Sequence, residues 1–295
     1  MRFTVFLVLA GVALAADKSP FAFREANGVA LELTENGQPV FDYNYKMVWK
    51  EGFPESMKRS SYLHPVYAPD GTLITDDFNK NHPHHRGIFW TWPVIVFEGK
   101  TYDTWEVDEK IKQRFERWVK RETTQDGATL EVENGWYIGE KKIVKEDMEI
   151  HVLPTKNDTR VIEFRWKVEA DGKPVEIAGT PDDGKGYGGI CFRMAARDGR
   201  TTITTDKGVL AKDGVLEVAK WAEVSGTIQG KQESARLEDD PANPNFGSNG
   251  WLLRHNFGLL NPSYPGLPHL RLEPGKPLIL RYRVTLTSGT QATTK

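Results

Sequence analysis

The chain has 295 residues, with 39 lysines and arginines against 41 aspartates and glutamates, and its formal net charge is -2. A near-neutral balance without any Lys/Arg-rich block lacks the electrostatic footprint of a nucleic-acid binder. The single cysteine, Cys191, excludes an intrachain disulfide, so the fold has to be held by its core, and a chain of this length can build one.

In chain order, the first element is the stretch from Met1 to Ala15. One positive charge at Arg2 is followed by an uncharged apolar run and by small residues at Ala13 and Ala15. This is the plan of a cleavable secretory signal. The run is shorter than the ~20 residues a spanning helix needs, and polar Asp17, Lys18 and Ser19 follow at once. The expectation is a secreted or periplasmic protein with no membrane span after cleavage. Residues 16–295 then read as one β-sandwich domain, with a frayed tail from about residue 287.

Strand patterns follow one another. Val29, Leu31 and Leu33 alternate with polar or small neighbours before the turn signal Glu35-Asn36-Gly37. Asp108 to Lys120 is the best helical candidate, though it fits a strand flanked by a charged loop equally well. Met148, Ile150 and Val152 alternate with Asp147, Glu149 and His151; Ile162 to Val168 and Leu280 to Leu286 repeat the pattern. Such alternation suits antiparallel strands with one wet face. Asp-Gly pairs at Asp70, Asp126, Asp171, Asp198 and Asp213 supply tight turns between the runs. The predicted class is therefore all-β, a large antiparallel sandwich with long functional loops. Cys191 lies in the apolar run from Gly188 to Phe192, where it reads as a small buried hydrophobe rather than a nucleophile.

Chemistry concentrates in Asp76 to Trp92, which contains His82, His84, His85 and Arg86. On an extended backbone His82 and His84 point to one side and His85 to the other. Two imidazoles can bind a divalent metal, or shuttle a proton and position a hydroxyl, because histidine titrates near neutrality. A His-x-His pair still needs a third ligand, for which His255, His64, Glu106 or a carboxylate of Glu238-Asp239-Asp240 is available. Otherwise the three histidines simply hydrogen-bond within a Pro-containing loop.

The surrounding composition fits a small-molecule or glycan ligand. Trp90, Trp92, Trp105, Trp221 and Trp251 offer flat apolar faces, while Arg86, Asn243, Arg254, His255 and Asn256 offer hydrogen-bonding groups. Core burial is the commoner fate of tryptophan, so two of the five are expected to line a pocket. A second stretch, Glu238 to Phe246 followed by Trp251 to Pro262, is rich in Pro, Asn and Gly and reads as a long structured loop. Its paired acids either act as acid-base groups with separated pKa values or cap turns.

Four segments resemble a bacterial domain-of-unknown-function family carrying the label "methane oxygenase PmoA". They are Tyr62 to Gly71, the His82-Pro83-His84-His85-Arg86-Gly87-Ile88-Phe89-Trp90 block, Tyr187 to Arg193, and Asp240-Pro241-Ala242-Asn243-Pro244 with Trp251. The likeness spans nearly the whole mature chain. Asp239-Asp240-Pro241 stands where other members carry Asp-His-Pro. No apolar span follows the signal, so the resemblance does not extend to a membrane monooxygenase. Leu272-Glu273-Pro274-Gly275-Lys276-Pro277 and the final strand are similar to the last hairpin of galactose-mutarotase-like supersandwich proteins, which handle sugars with histidines and a carboxylate. That resemblance implies one open cleft shared by the histidine block and the 238–256 loop. His82 or His84 would act there as acid, Arg86 would hold an oxygen, Asp239 or Asp240 would act as base, and Arg193 and the tryptophans would contact substrate. The reading is an exported carbohydrate-active enzyme of epimerase, lyase or hydrolase type; the rivals are a non-catalytic sugar-binding module and a His-ligated metalloenzyme.

Overall fold

The strand Thr159–Ala170 shows how alternation builds this protein, because every second residue from Arg160 to Ala170 is buried and those between are half-exposed. Its neighbours Lys141–Val152 and Leu278–Ser288 pair with it antiparallel and repeat the pattern. The computed structural model describes residues 19–289. The signal-like stretch 1–15 and the chain beyond 289 lie outside the described residues.

Among the described residues the strands form two nine-stranded sheets and one four-stranded sheet, with antiparallel pairing throughout. The first large sheet runs from Phe21–Ala26 at one edge to Gly214–Val218 at the other. Its centre is built from Ile88–Thr91, Gly189–Arg193, Leu259–Ser263 and Gly250–Arg254. The core fills the space between the large sheets, with Phe41, Trp90, Phe192 and Trp251 meeting Ile150, Phe164, Trp166 and Tyr282. An all-β sandwich is thus what the alternation delivers. The segment that fitted helix or strand is the strand Ile111–Thr123, and no described helix is long and apolar enough to cross a membrane.

The tail needs one correction. Thr287 faces Thr159 and Ser234, and Ser288 faces Glu233, so pairing on both sides carries the last strand through Ser288, past the point where fraying was expected.

Two central strands, Ile88–Thr91 and Gly189–Arg193, are buried at every position. Ile88, Trp90, Ile190 and Phe192 face the sandwich core. On the opposite face Phe89 and Cys191 join Tyr62, Trp105, Leu252 and Leu259 in a separate apolar cluster. A second layer must therefore cover the outside of this sheet, and it is the histidine loop that does so. Burial pushes the Cys191 thiol well up, in keeping with a small hydrophobe.

Candidate functional site

The histidine loop is pinned at its end by Arg86. This side chain is fully buried, pairs with Asp77 at 2.8 Å, donates to the Met57 carbonyl at 2.8 Å, and lies with its guanidinium carbon 3.4 Å from the Phe78 ring centre. Arg86 therefore ties three segments together and does not reach an open site, contrary to the role expected of it. Gly87 follows at φ +63, and a Cβ there would lie 2.1 Å from the Leu63 carbonyl oxygen, so the sheet closes on the loop only because this residue is glycine.

Within the loop the backbone turns, with the His85 N–H donating to the His82 carbonyl at 3.1 Å. The turn replaces the extended geometry expected from sequence and gathers all three imidazoles. His82 and His85 stack at 5.0 Å, His84 and His85 meet edge to face at 4.4 Å, and His82 packs on Phe257 at 4.2 Å. The rings line a cleft of about 380 Å³, whose other walls include Trp105, Glu106, Lys185, Tyr187, Arg254 and Phe257.

Glu106 is the residue that sequence reasoning undervalued. Its Oε2 lies 3.2 Å from His84 Nδ1. The loop carrying it is fixed by Asp103, which accepts from the backbone N–H groups of Trp105 and Glu106 at 2.6 and 2.9 Å. Arg59 closes the same loop by donating to the carbonyls of His84, Thr104 and Trp105. Burial, then the charge of Arg59, pushes the His84 pKa down to about 3, and burial and His84 hold His85 well below its usual range. The His84–Glu106 contact is therefore a neutral imidazole lying beside a carboxyl group. Burial also raises Glu106. No sequence spacing announces this pair, since Glu106 reaches the loop from the connection between the strands Lys100–Tyr102 and Ile111–Thr123.

The remaining candidates are dispersed. Trp105 lines the cleft and packs on Tyr187 at 4.6 Å. Trp90, Trp92 and Trp251 are core residues whose indole N–H groups donate to Glu146, the Tyr264 carbonyl and the Ala219 carbonyl. Trp221 lies on the other large sheet under the Arg236 guanidinium. One tryptophan of the five, not two, therefore lines the histidine cleft, because large aromatic faces were needed for the two cores. His255 is buried with Nδ1 at 3.0 Å from Asp213 and Nε2 at 3.1 Å from the Leu210 carbonyl, so it does not join His82 and His84 as a third metal ligand. Among the described residues no group of three His, Cys, Asp or Glu side chains is arranged to hold a metal. Arg193 is buried behind the cleft and Arg254 lines it.

Asp239 and Asp240 are not in the histidine cleft either. They border a larger cleft of about 610 Å³ on the second large sheet, together with Glu149, His151, Glu163, Arg165, Arg281 and Arg283. Asn243 and Asn249 donate to the two Asp239 carboxylate oxygens at 2.7 and 3.1 Å, and Asn243 also bonds the Arg281 backbone in both directions. The 238–256 segment is divided by sheet topology. Glu238 and Asp239 end a strand of one sheet, while Gly250–Arg254 belongs to the other. A single shared cleft is therefore not formed.

The fold and the cleft define an all-β sandwich protein with a histidine-rich site on the outside of one sheet. A family model for a family of unknown function, DUF6807, matches residues 30–295, and the chain belongs to that family. No curated protein matches it. Solved structures similar to it include a heparinase III, at 10% identity and TM-score 0.31, covering 90% of this chain and 30% of the other. A galactose mutarotase related enzyme from Lactobacillus acidophilus matches at 11% identity and TM-score 0.33, covering 93% and 100%. A 4-alpha-glucanotransferase from Thermococcus litoralis matches at 11% identity and TM-score 0.28, covering 92% and 40%. The chain thus spans under a third of the heparinase.

Proposed function

We propose that the protein is an exported carbohydrate-active enzyme that works by acid-base catalysis in the histidine cleft, with His84 as base and Glu106 as the residue that orients it. The observation that carries the reading is the 3.2 Å contact between His84 Nδ1 and Glu106 inside a cleft walled by Tyr187, Phe257 and Trp105. A carboxyl group that accepts from Nδ1 once substrate is bound would orient the imidazole and raise its basicity toward a substrate hydroxyl or carbon acid. His82 is the less buried of its neighbours and serves as the partner that returns the proton. Aromatic edges and polar groups suit a ligand with an apolar C–H face and a hydroxylated rim. The signal-like stretch of residues 1–15 supports export, and the similarity of Leu272 to Pro277 to the last hairpin of mutarotase-like proteins supports a sugar ligand.

The test is turnover of a panel of disaccharides, neutral and acidic, followed by NMR and mass spectrometry. Wild-type protein is expected to convert at least one member, and His84→Ala to slow that conversion about 10²–10⁴-fold, the usual range for a lost acid-base group. Full activity in both His84→Ala and Glu106→Gln, or no conversion of any saccharide, sinks the reading.

A further inference from the structure

Beside the histidine cleft lie buried nitrogens that no described residue satisfies. Arg193 closes the strand Gly189–Arg193 with its side chain only 4% exposed, and its one ion pair is a long contact of 3.5 Å to Asp76. Its Nε and Nη1 have no hydrogen-bond partner, and neither do the buried Nδ1 atoms of His82 and His85. The three side chains that carry them surround one ring. The Arg193 guanidinium lies 5.2 Å from the Phe257 ring centre, and the His82 and His85 rings lie 4.2 and 6.4 Å from it. A buried donor left unpaired costs about 1–3 kcal/mol, so the two Arg193 N–H donors, with two imidazole nitrogens beside them, point to an acceptor that arrives from outside.

The charges near that corner have the matching sign. Lys185 and Arg254 line the cleft against one lining carboxylate, Glu106, which His84 already occupies. Arg254 reaches its nearest acid, Asp213, only at 3.8 Å, and that acid is held by His255 at 3.0 Å. Lys185 is held by Asp183, whose side chain is 81% exposed and therefore screened by water. Arg59, buried at the back wall, spends its guanidinium on backbone carbonyls, so its charge is not cancelled by contact. Neutral sugars need none of this.

We infer that the cleft selects a saccharide bearing an anionic group, a carboxylate or a sulfate ester, which Lys185 and Arg254 draw in and which accepts hydrogen bonds at the Arg193, His82 and His85 corner. This rests on the carbohydrate reading above and narrows its substrate class. Charge-assisted hydrogen bonds of this kind separate a charged ligand from its neutral analogue by roughly tenfold or more.

The experiment is an NMR titration of the full chain with D-glucuronate, D-glucose 6-sulfate and D-glucose. At least one anionic sugar is expected to bind about tenfold tighter than glucose, and the preferred one tells carboxylate from sulfate. Arg193→Met is expected to abolish the preference. Because that residue is buried and its variant can fail to fold, Arg254→Met and Lys185→Met carry the test independently, each cutting anionic binding several-fold more than glucose binding. Equal affinity for glucose and both anionic sugars overturns the anionic inference and leaves the His84 reading standing. Unchanged anionic binding in both surface variants overturns it too, and if no sugar binds at all, both fall.

Discussion

Two buried polar regions lie on opposite faces of the same sheet and are finished to different degrees. In the sandwich core Glu146 is fully buried, yet its carboxyl accepts from Trp90 and Asn134 at 2.9 Å each on one oxygen, and from Trp136 at 2.7 Å and Gln113 at 3.2 Å on the other. Burial raises its pKa and these four donors pull it back. Across the strand Ile88–Thr91, the histidine corner keeps four nitrogens without partners. The difference is that one buried carboxyl closes all of its hydrogen bonds within the fold while the histidine corner leaves several nitrogens open.

That contrast can be broken most forcefully at Glu146. Glu146→Leu orphans four donors at once, and each unsatisfied group costs about 1–3 kcal/mol. A loss of several kcal/mol by urea denaturation is expected, with Glu146→Gln losing less because it keeps an acceptor. A variant as stable as wild type removes Glu146 from the architecture. Arg86→Met comes next, since it strands Asp77 against the loop; removing one partner of a buried pair costs about 3–5 kcal/mol, and the exposure of Asp77 places this case toward the lower figure. Thermal unfolding would read that loss.

On the other side of the contrast, Glu106→Gln is expected to lower Tm by no more than a few degrees while reducing kcat more than KM, because it disturbs the orientation of His84 and not the packing. A large Tm loss with normal kcat would make the pair structural. A further effect is in pH. His84 is held at about 3 when folded against an ordinary 6.5, so it binds fewer protons folded than unfolded. Its neutral form costs no stability above about 6.5, and stability is then lost as pH falls from there toward 3. Denaturation midpoints between pH 7 and 4 should fall less steeply in His84→Ala than in wild type; parallel curves refute the buried neutral imidazole.

Much of the fold could be read from the sequence. Period-two alternation at Met148 to Val152, Ile162 to Val168 and Leu280 to Leu286 marked strands of the second large sheet. It was ambiguous at Asp108 to Lys120, where the strand's polar residues reach both faces near a sheet edge. The histidine block was legible as a cluster of imidazoles, and all three line one cleft. Its partners were not. Arg86 looks like a ligand-binding cation in the sequence and is a buried tie. Glu106 stood only as one of several possible ligands, and Tyr187 and Phe257 lie far away in the chain and gave no periodic signal.

By itself, then, the sequence determined the all-β class, the absence of any disulfide and the location of the histidine block, because side-chain alternation, cysteine count and local composition are properties of neighbouring residues. Only the tertiary structure decided which carboxylate meets the histidines. Asp239 is fixed to one large sheet, whereas Glu106 lies in the connection between the strands Lys100–Tyr102 and Ile111–Thr123. Which of them comes within 3.2 Å of His84 depends on strand order across the sandwich, a long-range pairing that no local pattern encodes.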